Sequence, residues 1–197
     1  MVSMQTAERV APQTPGEPYR FTVDEYLRMA EQGTLDPDVR TELLDGVIVV
    51  MSPQNAPHIW TLSAIVEQLI LGLAGHRAWQ VISQIPLRIP DRDVPEPDVA
   101  IVPRLTPGSV PLGPEALLAV EVSDTTLAED LGRKRRLYAS AGVPNYWVAD
   151  VSAKQVHRFA DPVEGDYATH ELLTAPAALV VPGSENEQSV PVAAFFS

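Results

Sequence analysis

The sequence predicts an α/β or α+β domain, with a mixed β-sheet covered by helices. Short apolar runs bounded by turn residues recur along the chain. Two or three longer stretches between them carry apolar residues at helical spacing. A hydrophobic fraction of 45% over 197 residues is enough for one sizeable core.

The elements follow in chain order. The opening, MVSMQTAERVAPQTPGEP, is rich in Pro, Gln, Thr and Gly, so residues 1–18 read as a loose tail and 19–197 as a single domain. "TVDEYLRMAEQG" sets Val23, Tyr26, Leu27 and Ala30 at helical spacing and stops at Gly33. "TELLDGVIVVM" reads as a hairpin, because Asp45-Gly46 is a two-residue turn between apolar runs. A helix follows from about Pro57, with Ile59, Leu62, Val66, Leu69 and Leu73 as its buried stripe and Gly75 as its stop. "WQVISQIPLRI" alternates Val81, Ser83, Ile85, Leu87 and Ile89 on one face, which predicts a half-buried strand. "DVAIV" and "ALLAVEV" are short apolar strands. "TLAEDLGRKRRLYASAG" is a helix, with Thr126 and Glu129 in a capping-box pattern and Gly142 at its end. "NYWVAD" and "KQVHRFA" form a late strand pair, and "PVAAFF" a short helix or edge segment.

Composition narrows the function. Cysteine is absent, so disulfides and thiolate metal sites are excluded, and a reducing cytoplasm is the expected location. The start has no signal-peptide pattern, and no apolar run approaches the roughly 18–20 residues of a membrane span. A net charge of −12 repels polyanions at long range and argues against non-specific nucleic-acid binding.

Within "LLAVEVSDTT", Glu121 shares a strand face with Leu117, Ala119 and Ser123. An ionised carboxylate on a covered sheet costs several kcal/mol unless something compensates it, so Glu121 either points into water at the sheet rim or is neutral, paired or bound to a metal ion. Asp98, in "EPDVAIV", is a second carboxylate poised before an apolar strand, pinned by Pro97; taken alone it would be a strand-entry turn residue. Lys134 is the third feature. On a helical wheel Leu127, Leu131, Leu137, Tyr138 and Ala141 fall within about 60° of it, whereas Arg136 points away. Lys134 is thus the inward cation of "GRKRRLY", unless it snorkels along the stripe, and Asp130 lies one turn earlier on the same side. Acidic oxygens suit a hard cation such as Mg²⁺ or Mn²⁺, and a lysine beside it can orient water or offset phosphoryl charge.

These segments, with "TELLDGVIVVMSP" and the histidine after it, resemble the family of putative restriction endonucleases in the PD-(D/E)XK nuclease superfamily, over about residues 20–160. The resemblance implies a restriction-endonuclease-like fold and a Mg²⁺-dependent endonuclease acting on DNA. It makes Asp98 the motif aspartate and Glu121 the acidic (D/E) position, both metal ligands, with the Val122 carbonyl as a further ligand. It makes Glu42 the early glutamate, a metal ligand or water-orienting group, unless it is a hairpin surface residue. The superfamily lysine is missing two positions after Glu121, where Ser123 stands, and Lys134 on the next helix matches instead. Asp130 is then a partner for Lys134, and Tyr138 a packing residue with a polar tip. His58 is either a phosphate or proton-transfer contact or a surface residue at a helix start, and Gln84 is a candidate for the same cleft. A homodimer is expected by analogy with nucleases that cut both strands. Two other readings stay open: an inactive nuclease-fold module for interaction or regulation, and an enzyme for a small phosphorylated or nucleotide substrate.

Overall fold

The structure, a computed structural model, describes residues 15–90, 93–106 and 109–196. The expected tail falls mostly on residues 1–14, outside the described residues. The chain divides into two compact units. One is made by the chain up to Met51 together with Ile89–Pro95; the other runs through Ser52–Arg88 and Glu96–Ser197.

The smaller unit holds helix α1 (Val23–Glu31) and the hairpin of β1 (Thr41–Leu44) and β2 (Val47–Val50). Thr22 and Glu25 form a capping box at the start of α1, and its Val23 and Tyr26 pack with Leu43 and Val94; Ala30 faces outward. The hairpin turns where the sequence predicts, with Asp45 at φ 50° and Gly46 at φ 69°. Two successive positive φ values are the hand of turn that matches strand twist.

The larger unit is organised on a six-stranded mixed sheet in the order β3-β4-β5-β6-β7-β8. The strands are β3 (Trp79–Ser83), β4 (Val99–Pro103), β5 (Leu118–Ser123), β6 (Asn145–Asp150), β7 (Gln155–Val163) and β8 (Asp166–Leu173). Only β5 and β6 run parallel, joined by a helical crossover. The short pair β9 (Ala178–Val180) and β10 (Ser189–Pro191) and a terminal 3₁₀ turn (Val192–Phe196) complete the unit.

Helix α2 (Ala56–Gly72) covers one sheet face. Its Leu62, Ile65 and Leu69, with Leu73 just beyond it, join Val99, Ile101, Val120, Val122 and Trp147 in the main core. Each such side chain contributes about 1.5–3 kcal/mol on burial. The expected stripe needs one correction: Ile59 is exposed and Ile65 takes its place. The opposite face is covered by a continuous helical run: α3 (Leu127–Glu129), a π-turn (Asp130–Lys134) and α4 (Arg135–Ser140). Within the π-turn the Arg135 N–H bonds to the Asp130 carbonyl five residues back, and the Tyr146 hydroxyl donates to that same carbonyl at 3.0 Å.

Two further expectations are corrected. The strand drawn to Ile89 ends at Ser83, because Gln84 takes a positive φ of 54° and breaks the alternation. Thr126 makes no capping bond to the helix; its hydroxyl donates to Asp130 instead, at 2.6 Å.

Candidate active site

Glu121 sits near the end of β5, where alternation turns it away from the α2 core and towards the π-turn. It is buried, and it is not at a wet rim. Its Oε1 accepts two hydrogen bonds, from Lys134 Nζ at 3.1 Å and from Tyr138 Oη at 2.9 Å. Lys134 and Tyr138 are four residues apart, so they stack on one side of the helical run and reach the same oxygen. The inward lysine of the sequence pattern is inward in the structure, and Tyr138 supplies a donor rather than packing alone.

Asp98 lies one residue before β4. The β4–β5 ladder pairs Val99 with Val120, and its register, continued by one step, sets Asp98 across from Glu121. Asp98 Oδ2 accepts the Val122 N–H at 2.8 Å. In an extended strand a residue's N–H and C=O point to the same edge, so the Val122 carbonyl faces the Asp98 side of β5 as well. Oδ2 also contacts His58 Nε2 at 3.2 Å, and all the Asp98 side-chain contacts among the described residues fall on that oxygen.

His58 stands in the first turn of α2. Asn55 caps this helix by accepting the His58 N–H, and its side-chain amide donates to Asp124, just past β5. The histidine is therefore held against Asp98, and the surface reading of it is corrected. The structure also brings in Gln84, whose backbone N–H bonds to the Asp98 carbonyl at 3.1 Å, while its side-chain Nε2 is buried without a partner among the described residues.

Asp130 is buried, and burial raises its pKa, opposed by the charge of Lys134 and the Thr126 hydrogen bond. It acts on Lys134 through the field, whereas Glu121 is hydrogen-bonded to Lys134. Glu42 belongs to the smaller unit, on β1 opposite Val49; it is buried, so it is not a hairpin surface residue.

Among the described residues no three His, Asp or Glu side chains converge as a cage. Asp98 and Glu121 nonetheless supply hard oxygens from neighbouring strands. That suits Mg²⁺, which keeps several waters and is commonly bound through one or two carboxylates.

Sequence reasoning missed the Asp98–His58 and Asn55–Asp124 contacts and the Tyr138 donor. The wheel that marked Lys134 also carried Tyr138 on the same stripe, so that signal was present. The contacts of α2 with Asp98 and Asp124 join residues 40 and 69 positions apart, beyond any local pattern.

A mixed sheet with helices on both faces, carrying opposed carboxylates on its antiparallel β4–β5 pair, is a restriction-endonuclease-like architecture. A crystal structure from Anabaena variabilis, titled a putative nuclease belonging to DUF820, superposes with a TM-score of 0.70 at 16% identity, covering 89% of this chain and 97% of that one. The chain belongs to the Uma2 family, described as "Putative restriction endonuclease", whose model matches residues 23–193. No curated protein matches it. Among the described residues no helix is long and apolar enough to cross a membrane.

Proposed function

We propose that this chain is a divalent-cation-dependent phosphodiester hydrolase, a DNA endonuclease, with its site at Asp98, Glu121 and Lys134. The observation that carries the reading is the meeting of three groups: Asp98 set across from Glu121 by strand register, and Lys134 brought onto Glu121 by the crossover helix. Asp98, Glu121 and the Val122 carbonyl would hold Mg²⁺ or Mn²⁺. A bound ion of this kind supplies charge neutralisation at phosphoryl oxygens and a more acidic water. Lys134, tethered by Glu121, orients the attacking water from the ammonium group. Tyr138 keeps Glu121 in place while Lys134 does so. Glu42 belongs to the proposed ligand set on the family resemblance alone, and Glu42→Gln tests it in the same metal titration.

The net charge of −12 favours a second reading, a nuclease-fold module without turnover. One experiment separates the two. The melting temperature is followed with millimolar Mn²⁺ in wild type and Asp98→Ala, alongside nicking of supercoiled plasmid by wild type and Lys134→Met. The hydrolase reading expects an Asp98-dependent rise and nicking that Lys134→Met abolishes. A flat metal response with no nicking leaves the module.

A further inference from the structure

We infer that His58 is a positioning residue for Asp98: its Nε2–H fixes the carboxyl plane so that Oδ1 is presented to a bound cation. The inference rests on the metal site proposed above and assigns a residue outside its ligand set.

A carboxylate oxygen only accepts, so at 3.2 Å from Asp98 Oδ2 the Nε2 atom must carry the hydrogen. The other ring nitrogen, Nδ1, is buried and meets no partner among the described residues. Asp98 is therefore the one polar tie of this ring among the described residues. The backbone beneath it is set independently, because Asn55 caps α2 at the His58 N–H and reaches Asp124 through its amide. The ring is thus delivered from a fixed helix end.

For Asp98 the consequence is rotational. Val122 N–H alone leaves the carboxyl group able to swing about its Cβ–Cγ bond while keeping one hydrogen bond. A second donor on the same oxygen, from another element, fixes the plane. The remaining oxygen is then oriented before any cation arrives, and the ordering cost of binding falls. Partners that orient metal ligands in this way are typically worth about 10- to 100-fold in metal affinity.

The test uses two amides. The nitrogen of a glutamine amide overlays Nε2 of histidine, whereas that of asparagine overlays Nδ1 and stops short of Asp98. Mn²⁺ binding to the full chain is titrated by electron paramagnetic resonance for wild type, His58→Gln, His58→Asn and Asp98→Ala, with circular dichroism to establish that each is folded. The expected result is roughly 10- to 100-fold weaker binding in His58→Asn and binding within about threefold of wild type in His58→Gln. Wild-type affinity in His58→Asn, or an equal loss in both variants, overturns the inference. If the wild type itself shows no Asp98-dependent Mn²⁺ binding, the metal reading fails first, and the inference fails with it.

Discussion

Lys134 and Glu121 form an ion pair of 3.1 Å with side-chain exposures of only 8% and 5%. An exposed pair would be worth at most about 1 kcal/mol, but removing one member of a buried pair strands the other charge and costs about 3–5 kcal/mol. Lys134→Met without metal should therefore lose stability on that order, and Glu121→Gln/Lys134→Met should lose much less than the sum of the single changes. Urea unfolding of the four proteins gives the coupling directly. A coupling near zero would show that the pair is not the unit described.

Tyr138 offers a cleaner deletion. Its ring is fully buried against Tyr146, with centroids 5.0 Å apart, and its hydroxyl donates to Glu121 at 2.9 Å. Phenylalanine keeps the ring and removes the donor to a charged acceptor, a loss of about 1.5–3 kcal/mol. Chemical denaturation of Tyr138→Phe measures this, and an unchanged midpoint would assign the hydroxyl no part in holding Glu121.

Acid sensitivity should arise away from the site, at His157. Its Nδ1 lies 3.2 Å from His170 Nε2, and its Nε2 is buried without a partner among the described residues. Burial depresses its pKa below the ordinary 6.5, His170 adds to the effect, and Asp150 opposes it. The unfolded chain therefore binds the proton first as pH falls. The contribution is intact above about 6.5 and is lost as pH drops through the folded value. Thermal melts of wild type and His157→Phe between pH 7.5 and 5 should show a shallower acid loss in the variant; parallel profiles would contradict the assignment.

The hairpin of the smaller unit gives a fourth expectation. A Cβ at Gly46 would stand 2.8 Å from Arg20 Cβ and 2.9 Å from the Phe21 carbonyl, at a φ of +69°. Gly46→Ala should therefore cost more than about 1 kcal/mol, because both the backbone conformation and the space oppose it. Gly33→Ala, with a similar φ but open space around it, should cost less, and the difference in melting temperature isolates the steric part. Equal losses would remove the clash from the explanation.

Legibility tracked the range of the interactions involved. The Asp45-Gly46 turn, the β5 run and the inward Lys134 were each read from a few neighbouring residues, because alternation, helical spacing and turn chemistry act locally. The wheel assumes α-geometry through what is a π-turn, yet Lys134 and Tyr138 still share a side, because the residues between them lie in the α-helical Arg135–Ser140 segment that follows the π-turn. Gln84 misled the reading because a positive φ at a non-glycine residue has no local signature. Ile59 misled it because the wheel finds an apolar stripe but cannot say where the helix meets the sheet.

By itself the sequence determined the elements around the site and the chemical nature of its groups: two carboxylates at strand ends and one amine on an inward helical stripe. The tertiary structure alone decided which atoms meet. It set Asp98 across from Glu121, gave Glu121 two donors on one oxygen, and brought the start of α2 to Asp98. Strand pairing and helix docking join residues far apart in the chain, and such contacts are selected by packing of the whole unit, which no local spacing encodes.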